Sequence, residues 1–255
     1  MNKVFVYSGT GNTWHSAKMI AESLGAEPTH ITDELAHSNQ EFTGDVCVVM
    51  FPVYGYGMPK TVKRFIKRNR FAFAYLAVIV TQGSKHGGSL AEAIRLFRRR
   101  GKRPDFTYGI KAVENFVHMF KLPEEEQIAL IDQRQVEQTQ IVIGKIAERT
   151  RNKRFLFRPE SSFVSFLFRR VTRMFARRYR FLDTCSGCSV CYRVCPARAI
   201  EMVDQRPKMV AKKCDNCQAC LQLCPQHAIK FGRIKPSSRR YRRKGVNVSD
   251  LVKRD

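Results

Sequence analysis

Eight of the nine cysteines fall within residues 185–224, and their spacing constrains this chain more than any other feature of it. They form two runs, Cys185-x2-Cys188-x2-Cys191-x3-Cys195-Pro196 and Cys214-x2-Cys217-x2-Cys220-x3-Cys224-Pro225. Close spacing lets one tight turn aim three thiolates at a common point, while the fourth cysteine comes too late for that turn. Structural zinc takes four ligands, usually from two well-separated pairs. Disulfide frameworks suit small secreted chains, and nothing here suggests secretion. The runs also repeat as a unit: Cys185, Cys195, Pro196, Ala199 and Ile200 recur 29 positions later as Cys214, Cys224, Pro225, Ala228 and Ile229. Such a duplication implies two half-domains about a pseudo-twofold axis, with Ile200 and Ile229 in the core.

The two runs resemble those of a bacterial two-cluster [4Fe–4S] ferredoxin. The resemblance implies one cluster on Cys185, Cys188, Cys191 and Cys224 and another on Cys214, Cys217, Cys220 and Cys195, each fourth cysteine crossing to the other half. Cluster thiolates need reduced cysteines, so a cytoplasmic location is expected. The N-terminus enters a strand-like run directly, with no signal peptide visible. The longest apolar run, Phe71–Val80, is ten residues and too short to span a bilayer. The ninth cysteine, Cys47, sits in the apolar run Val46–Phe51 and reads as a buried strand residue.

Asn2–Tyr7 reads as a buried parallel strand, followed by Ser8-Gly9-Thr10-Gly11-Asn12-Thr13 and a helix over Trp14–Leu24. A strand, a Gly/Thr-rich turn and a helix N-terminus make an anion site, because the amides there are unpaired and the dipole is favourable. Glycines admit close backbone approach, and Ser8, Thr10 and Thr13 supply hydroxyls. The loop lacks the lysine of a nucleotide-triphosphatase loop and the third glycine of a dinucleotide fingerprint. It resembles the flavodoxin phosphate loop, Ser/Thr-x-Thr-Gly-x-Thr, which implies binding of the phosphate of FMN.

Pro28–Ile31 reads as a short second strand, Asp45–Phe51 as the third and Tyr75–Thr81 as the fourth. In a doubly wound sheet, ligands sit at the carboxyl ends of strands near the reversal in strand order. Two loops lie at such ends: Pro52-Val53-Tyr54-Gly55-Tyr56-Gly57-Met58-Pro59, and Thr81-Gln82-Gly83-Ser84-Lys85-His86-Gly87-Gly88. In flavodoxin-like proteins these positions flank the isoalloxazine ring. Tyr54 and Tyr56 are then stacking candidates and Gly55 and Gly57 backbone candidates, with the choice within each pair open. His86 reads as a solvent-exposed loop histidine. Helices are expected over Pro59–Asn69, Ser89–Arg100 and Pro123–Arg149, and a fifth strand over Phe106–Val113, with Glu114-Asn115-Phe116 at the flavin rim. The expected architecture is a flavodoxin-like five-stranded parallel α/β sheet over residues 1–150 plus a small α+β ferredoxin domain over 181–234.

The formal net charge of +24 is concentrated in two segments. Residues 145–180 carry 12 basic and two acidic residues, and residues 230–255 carry ten and two. The helical stripe expected over Ser161–Arg180 sets Val164, Leu167, Phe168, Val171, Met174 and Phe175 opposite Arg169, Arg170, Arg173, Arg177 and Arg178. Such a helix can pack on the protein's own domains as a linker over 151–180, lie on an anionic membrane surface, or meet an acidic partner or nucleic acid. The tail over 235–255, with Arg239–Lys244, reads as a flexible charged arm. No nucleic-acid fold signature is present.

Together the segments resemble flavodoxin-like/ferredoxin fusions. The resemblance implies electron transfer between FMN and two [4Fe–4S] clusters, coupling a two-electron donor or acceptor to one-electron carriers, with an acidic redox protein as the expected partner. The alternative is a basic nucleic-acid or partner-binding module whose clusters are structural or sensory.

Overall fold

The computed structural model describes residues 1–34, 39–84, 87–152, 174–232, 234 and 238–252. His86 and residues 161–173 of the expected amphipathic stripe therefore lie outside the described residues. The N-terminal half alternates strand and helix: β1 (Lys3–Val6), α1 (Asn12–Ser23), β2 (Pro28–His30), α2 (Ile31–Glu34), β3 (Glu41–Pro52), α3 (Lys60–Arg68), β4 (Arg70–Gln82), α4 (Ser89–Arg99), β5 (Phe106–Lys111) and α5 (Glu125–Ala147). All five strands are parallel in the order β2-β1-β3-β4-β5, the flavodoxin order with its reversal at β1.

A parallel sheet with helices on both faces buries both sets of alternating side chains, so its strands read as continuous apolar runs. Val4, Val6, Val48, Met50, Ala77 and Ile79 face one core with Ala17, Ile20, Val142 and Ile146 of α1 and α5. Phe5, Tyr7, Val49, Phe51, Val78 and Val80 face the other, with Val62, Phe65, Ala93 and Phe97 of α3 and α4. Cys47 lies in that second core, where burial pushes its thiol pKa upward.

Two strands are longer than the apolar runs implied. β3 begins at Glu41 and β4 at Arg70, paired in register from Glu41↔Arg70 to Gly44↔Phe73. There the ribbon runs past β1 and alternates: Phe71 and Phe73 are buried while Arg70, Ala72 and Ala74 are exposed. A half-solvated ribbon has a period of two rather than a continuous run.

The cysteine-rich half holds β6 (Tyr179–Phe181), β7 (Ile200–Val203), β8 (Arg206–Met209) and β9 (Ile229–Phe231), with short helices at Val190–Arg193 and Ala219–Gln222. β6 pairs with β9 and β7 with β8, both antiparallel, so each pair takes one strand from each repeat. The backbone repeats with the sequence: left-handed conformations fall at Gly187 and Asn216, Ser189 and Gln218, and Arg198 and His227, each pair 29 residues apart. Equivalent amides also reach equivalent sulfurs, Ala199 N to Cys195 Sγ at 3.2 Å and Ala228 N to Cys224 Sγ at 3.3 Å.

Two expectations are corrected. The helix predicted through Arg180 gives way to a 3-10 turn at Ala176–Arg178, and Tyr179 and Arg180 belong to β6. Tyr179 is drawn inward because its ring packs on Phe231 and its hydroxyl meets His118 Nε2 at 3.0 Å. The C-terminal segment is not a free arm. Tyr241, Arg243, Val246 and Leu251 are buried, and Val246 and Leu251 join the core that contains Trp14. Arg240 is half-buried, while Arg239, Arg242 and Lys244 are exposed. No helix among the described residues is long and apolar enough to cross a membrane.

His118 gives this interface a pH dependence. Its ring stacks on Phe231, its Nδ1 lacks a hydrogen-bond partner, and burial pulls its pKa from 6.5 down to about 3. Between those values the unfolded chain binds a proton that the folded chain does not, so stability falls as pH drops below about 6.5, by about 1.4 kcal/mol per pH unit at most. Urea midpoints at pH 7.5 and pH ~5 should differ less for His118→Gln than for the unmodified chain.

Candidate functional site

The carboxyl ends of β1, β3, β4 and β5 converge on one cavity of about 630 Å³. β1 delivers Ser8–Thr10, and Asn12 and Thr13 follow from α1; β3 delivers Pro52–Tyr56; β4 delivers Thr81–Ser84; β5 delivers Ala112–Phe116. Met58, Pro59, Lys60, Lys63, Met119 and Phe120 add to these, and one further wall comes from the other half of the chain: Cys214, Asp215, Asn216 and Cys217. Most loop residues predicted from sequence thus line one space. Gly11, Gly57, Gly87 and Gly88 do not line it and instead shape the loops.

The phosphate-type loop is held by its own side chains. Ser8 Oγ accepts from Gly11 N and Trp14 N at 3.3 Å each, and Thr13 Oγ1 meets Thr81 Oγ1 at 2.7 Å. Gly11 takes a left-handed φ of 103° and caps α1, whose first turn contains no acid, so the helix dipole there is uncompensated. The second loop is a two-residue turn: Tyr54 and Gly57 exchange both backbone hydrogen bonds, at 3.0 and 3.1 Å, with Gly55 and Tyr56 at φ of 55° and 59°. Two consecutive left-handed residues are the signature of a type I′ turn.

That turn separates the two tyrosines. Tyr54 points inward, its hydroxyl 3.0 Å from where a Gly9 Cβ would stand, and its ring lies edge-on to Tyr7. Tyr56 stands at the tip, 41% exposed, with its carbonyl accepting from Gly88 N at 3.0 Å. On β5's exit, Glu114 lies against Gly83, where any Cβ would collide with its carboxylate. Burial raises the Glu114 pKa, opposed by the amides of Phe116 and Asn115.

The two halves are fastened at this cavity. Asp215 Oδ1 accepts from Lys60 N at 3.0 Å, and Oδ2 accepts from Thr61 N at 3.1 Å and from Tyr7 Oη at 3.0 Å. A carboxylate on the next cysteine turn therefore caps α3. The sequence held one signal for it. Asp215 stands where the first repeat has Ser186, an exposed residue, so the duplication is broken at this position. Gly9 meets the same turn, since a Cβ on it would lie 3.0 Å from the Cys217 carbonyl oxygen. Gly9→Ala is expected to separate the halves and cost about 1–3 kcal/mol, read as a lower thermal midpoint.

The cysteines fall into two groups. Cys185, Cys188, Cys191 and Cys224 line a small cavity with Phe181, Met202 and Ile229. Burial raises the Cys217 and Cys220 thiols, Cys195 and Cys214 lie near enough to raise them further, and Cys191 also raises that of Cys220. Burial pushes the Cys191 and Cys214 thiols up to about 12. The buried thiols among them are poor anions alone; among the described residues no three side chains are set to hold a single metal ion, so the group that would hold them as thiolates is a larger, multi-iron centre. On the flavin side, Gln82 lines the cavity and its side-chain oxygen is buried without a hydrogen-bond partner.

Residues 178–225 match the family described as the 4Fe-4S dicluster domain. Among solved structures, a putative flavoprotein from Bacteroides uniformis is 18% identical with a TM-score of 0.36, covering 43% of this chain and 89% of its own. Megasphaera elsdenii flavodoxin in its two-electron reduced form is 18% identical with a TM-score of 0.31, covering 43% and 85%. A metal-soaked flavodiiron core from Synechocystis is 16% identical with a TM-score of 0.32, covering 57% and 36%. No curated protein matches in sequence. The N-terminal half thus has a flavodoxin-like strand order, and residues 178–225 match a 4Fe-4S dicluster domain.

Proposed function

We propose that the chain holds one FMN and two [4Fe–4S] clusters and moves electrons between them, coupling a two-electron donor or acceptor to a one-electron carrier. The observation that carries this reading is the shared cavity, one wall of which is the Cys214–Cys217 turn. A flavin exchanges one or two electrons and a [4Fe–4S] cluster one, so the pair bridges the two kinds of carrier.

The chain's residues supply binding, orientation and shielding. The amides and hydroxyls of Ser8–Thr13 would receive the phosphate, and Tyr54, Gly55, Tyr56 and Gln82 would bound the ring. Cys195, Cys214, Cys217 and Cys220 would hold the inner cluster beside that ring. Cys185, Cys188, Cys191 and Cys224 would hold the outer one, where Cys188 is exposed to a partner. Asp215 fixes the inner turn against α3 and Tyr7, which would hold a flavin and the inner cluster at a constant separation. An acidic one-electron carrier is the partner proposed for the exposed side.

Anaerobic reconstitution followed by optical and EPR titration tests the reading. The expected result is one FMN and about eight irons per chain, with flavin and clusters exchanging electrons. A folded chain that takes up neither group overturns it.

A further inference from the structure

We propose that the C-terminal segment belongs to the phosphate-binding apparatus, with Tyr241 and Arg243 as positioning residues that give the site its preference for a phosphorylated flavin. The inference rests on reading the cavity as a flavin site. It starts from contacts that the C-terminal segment, whose described residues do not line the cavity, makes with the phosphate loop. Arg243 N donates to Thr10 O at 2.9 Å, and Gly11 is pressed so closely that a Cβ there would lie 3.0 Å from Arg243 Cβ. The Arg243 side chain is 5% exposed and pairs with Asp132 of α5, which fixes where this backbone lies. Tyr241 Oη donates to Asn12 Oδ1 at 2.6 Å.

The same segment closes a ring of hydrogen bonds. Tyr241 N donates to Gln222 Oε1 at 2.9 Å, and Gln222 Nε2 donates to Asn115 O at 3.0 Å. Asn115 Nδ2 donates in turn to Thr10 Oγ1. Gln222 sits between Cys220 and Cys224, so the ring ties the phosphate loop to the cysteine helix as well as to the exit of β5. A loop containing two glycines loses much freedom on ordering. Anchoring it from behind before the ligand arrives removes that cost from binding. The gain applies to the phosphate, because the anchored residues Thr10, Gly11 and Asn12 belong to the phosphate loop and not to the ring loops.

The test is a pair of flavin titrations on the full-length chain, one with FMN and one with riboflavin, which lacks the phosphate. Two variants are compared with the unmodified chain: Tyr241→Phe, which removes one hydroxyl, and Asp132→Asn with Arg243→Leu, which removes both charges of the buried pair together. The expected result is a loss of FMN affinity of about tenfold for Tyr241→Phe and more for the double variant, with riboflavin affinity unchanged. Unchanged FMN affinity in both variants overturns the proposal, and so does an equal loss for the two flavins, which would mark general loosening. An unmodified chain that binds neither flavin removes the flavin reading itself and this proposal with it.

Discussion

Asp215→Ala is expected to destabilise the folded chain by about 3–5 kcal/mol and to slow electron exchange between flavin and clusters while leaving the cysteine sites occupied. The carboxylate is 8% exposed and receives three donors, two amides at the start of α3 and the Tyr7 hydroxyl. Truncation leaves those donors buried without an acceptor, and hydrogen bonds to a charged group are the strong ones. The same residue sits next to Cys214 and spans the junction of the two halves, so its loss also frees the inner cysteine turn from Tyr7 and α3. Ser186→Ala supplies the control. It changes the equivalent position of the other repeat, which is exposed, and should stay within about 0.5 kcal/mol. Urea denaturation of both variants decides the matter, and equal effects would remove the latch role.

The second large effect concerns the crossing of the fourth cysteines. Cys195→Ser is expected to abolish the centre held by Cys214, Cys217 and Cys220 and to spare the one held by Cys185, Cys188 and Cys191, with iron falling from about eight to about four per chain. Cys224→Ser should do the reverse. The grouping supports this: Cys224 lines one small cavity with Cys185, Cys188 and Cys191, while Cys195 lies near enough to Cys217 and Cys220 to raise their thiols beyond what burial does, Cys191 also acting on Cys220. The two variants also differ in flavin behaviour. Only Cys195→Ser removes the centre that borders the cavity, so only it should isolate the flavin from added one-electron carriers. EPR spectra that assign the loss in Cys195→Ser to its own run would refute the crossed arrangement.

Much of the architecture was legible because periodicity reports burial. The runs around Val4–Val6, Val46–Phe51 and Tyr75–Val80 are apolar throughout because α1 and α5 cover one face and α3 and α4 the other. The loops at Ser8, Pro52 and Thr81 could be placed at one end of the sheet because parallel strands all end on the same side. The extensions at Glu41 and Arg70 escaped notice, since a ribbon wet on one side mixes polar and apolar residues as a loop does. The tail misled for a related reason. Arg239–Lys244 is strongly charged on average, yet Tyr241 and Arg243 alternate with exposed Arg242 and Lys244, and average composition hides that alternation.

The sequence alone determined the local chemistry. Thiolates at fixed short spacing, a 29-residue duplication and a Gly/Thr turn after the first strand each specify their own backbone, because the necessary contacts lie within a few residues. Only the tertiary structure decided how these parts meet. That Asp215 caps α3, that Cys217 borders the cavity and that Arg243 braces the phosphate loop are relations between residues 111 to 233 positions apart. No local propensity encodes them. They arise because both cysteine repeats and the C-terminal segment bury Val194, Leu223, Val246 and Leu251 against the flavodoxin-like core, and that burial fixes which polar groups face one another.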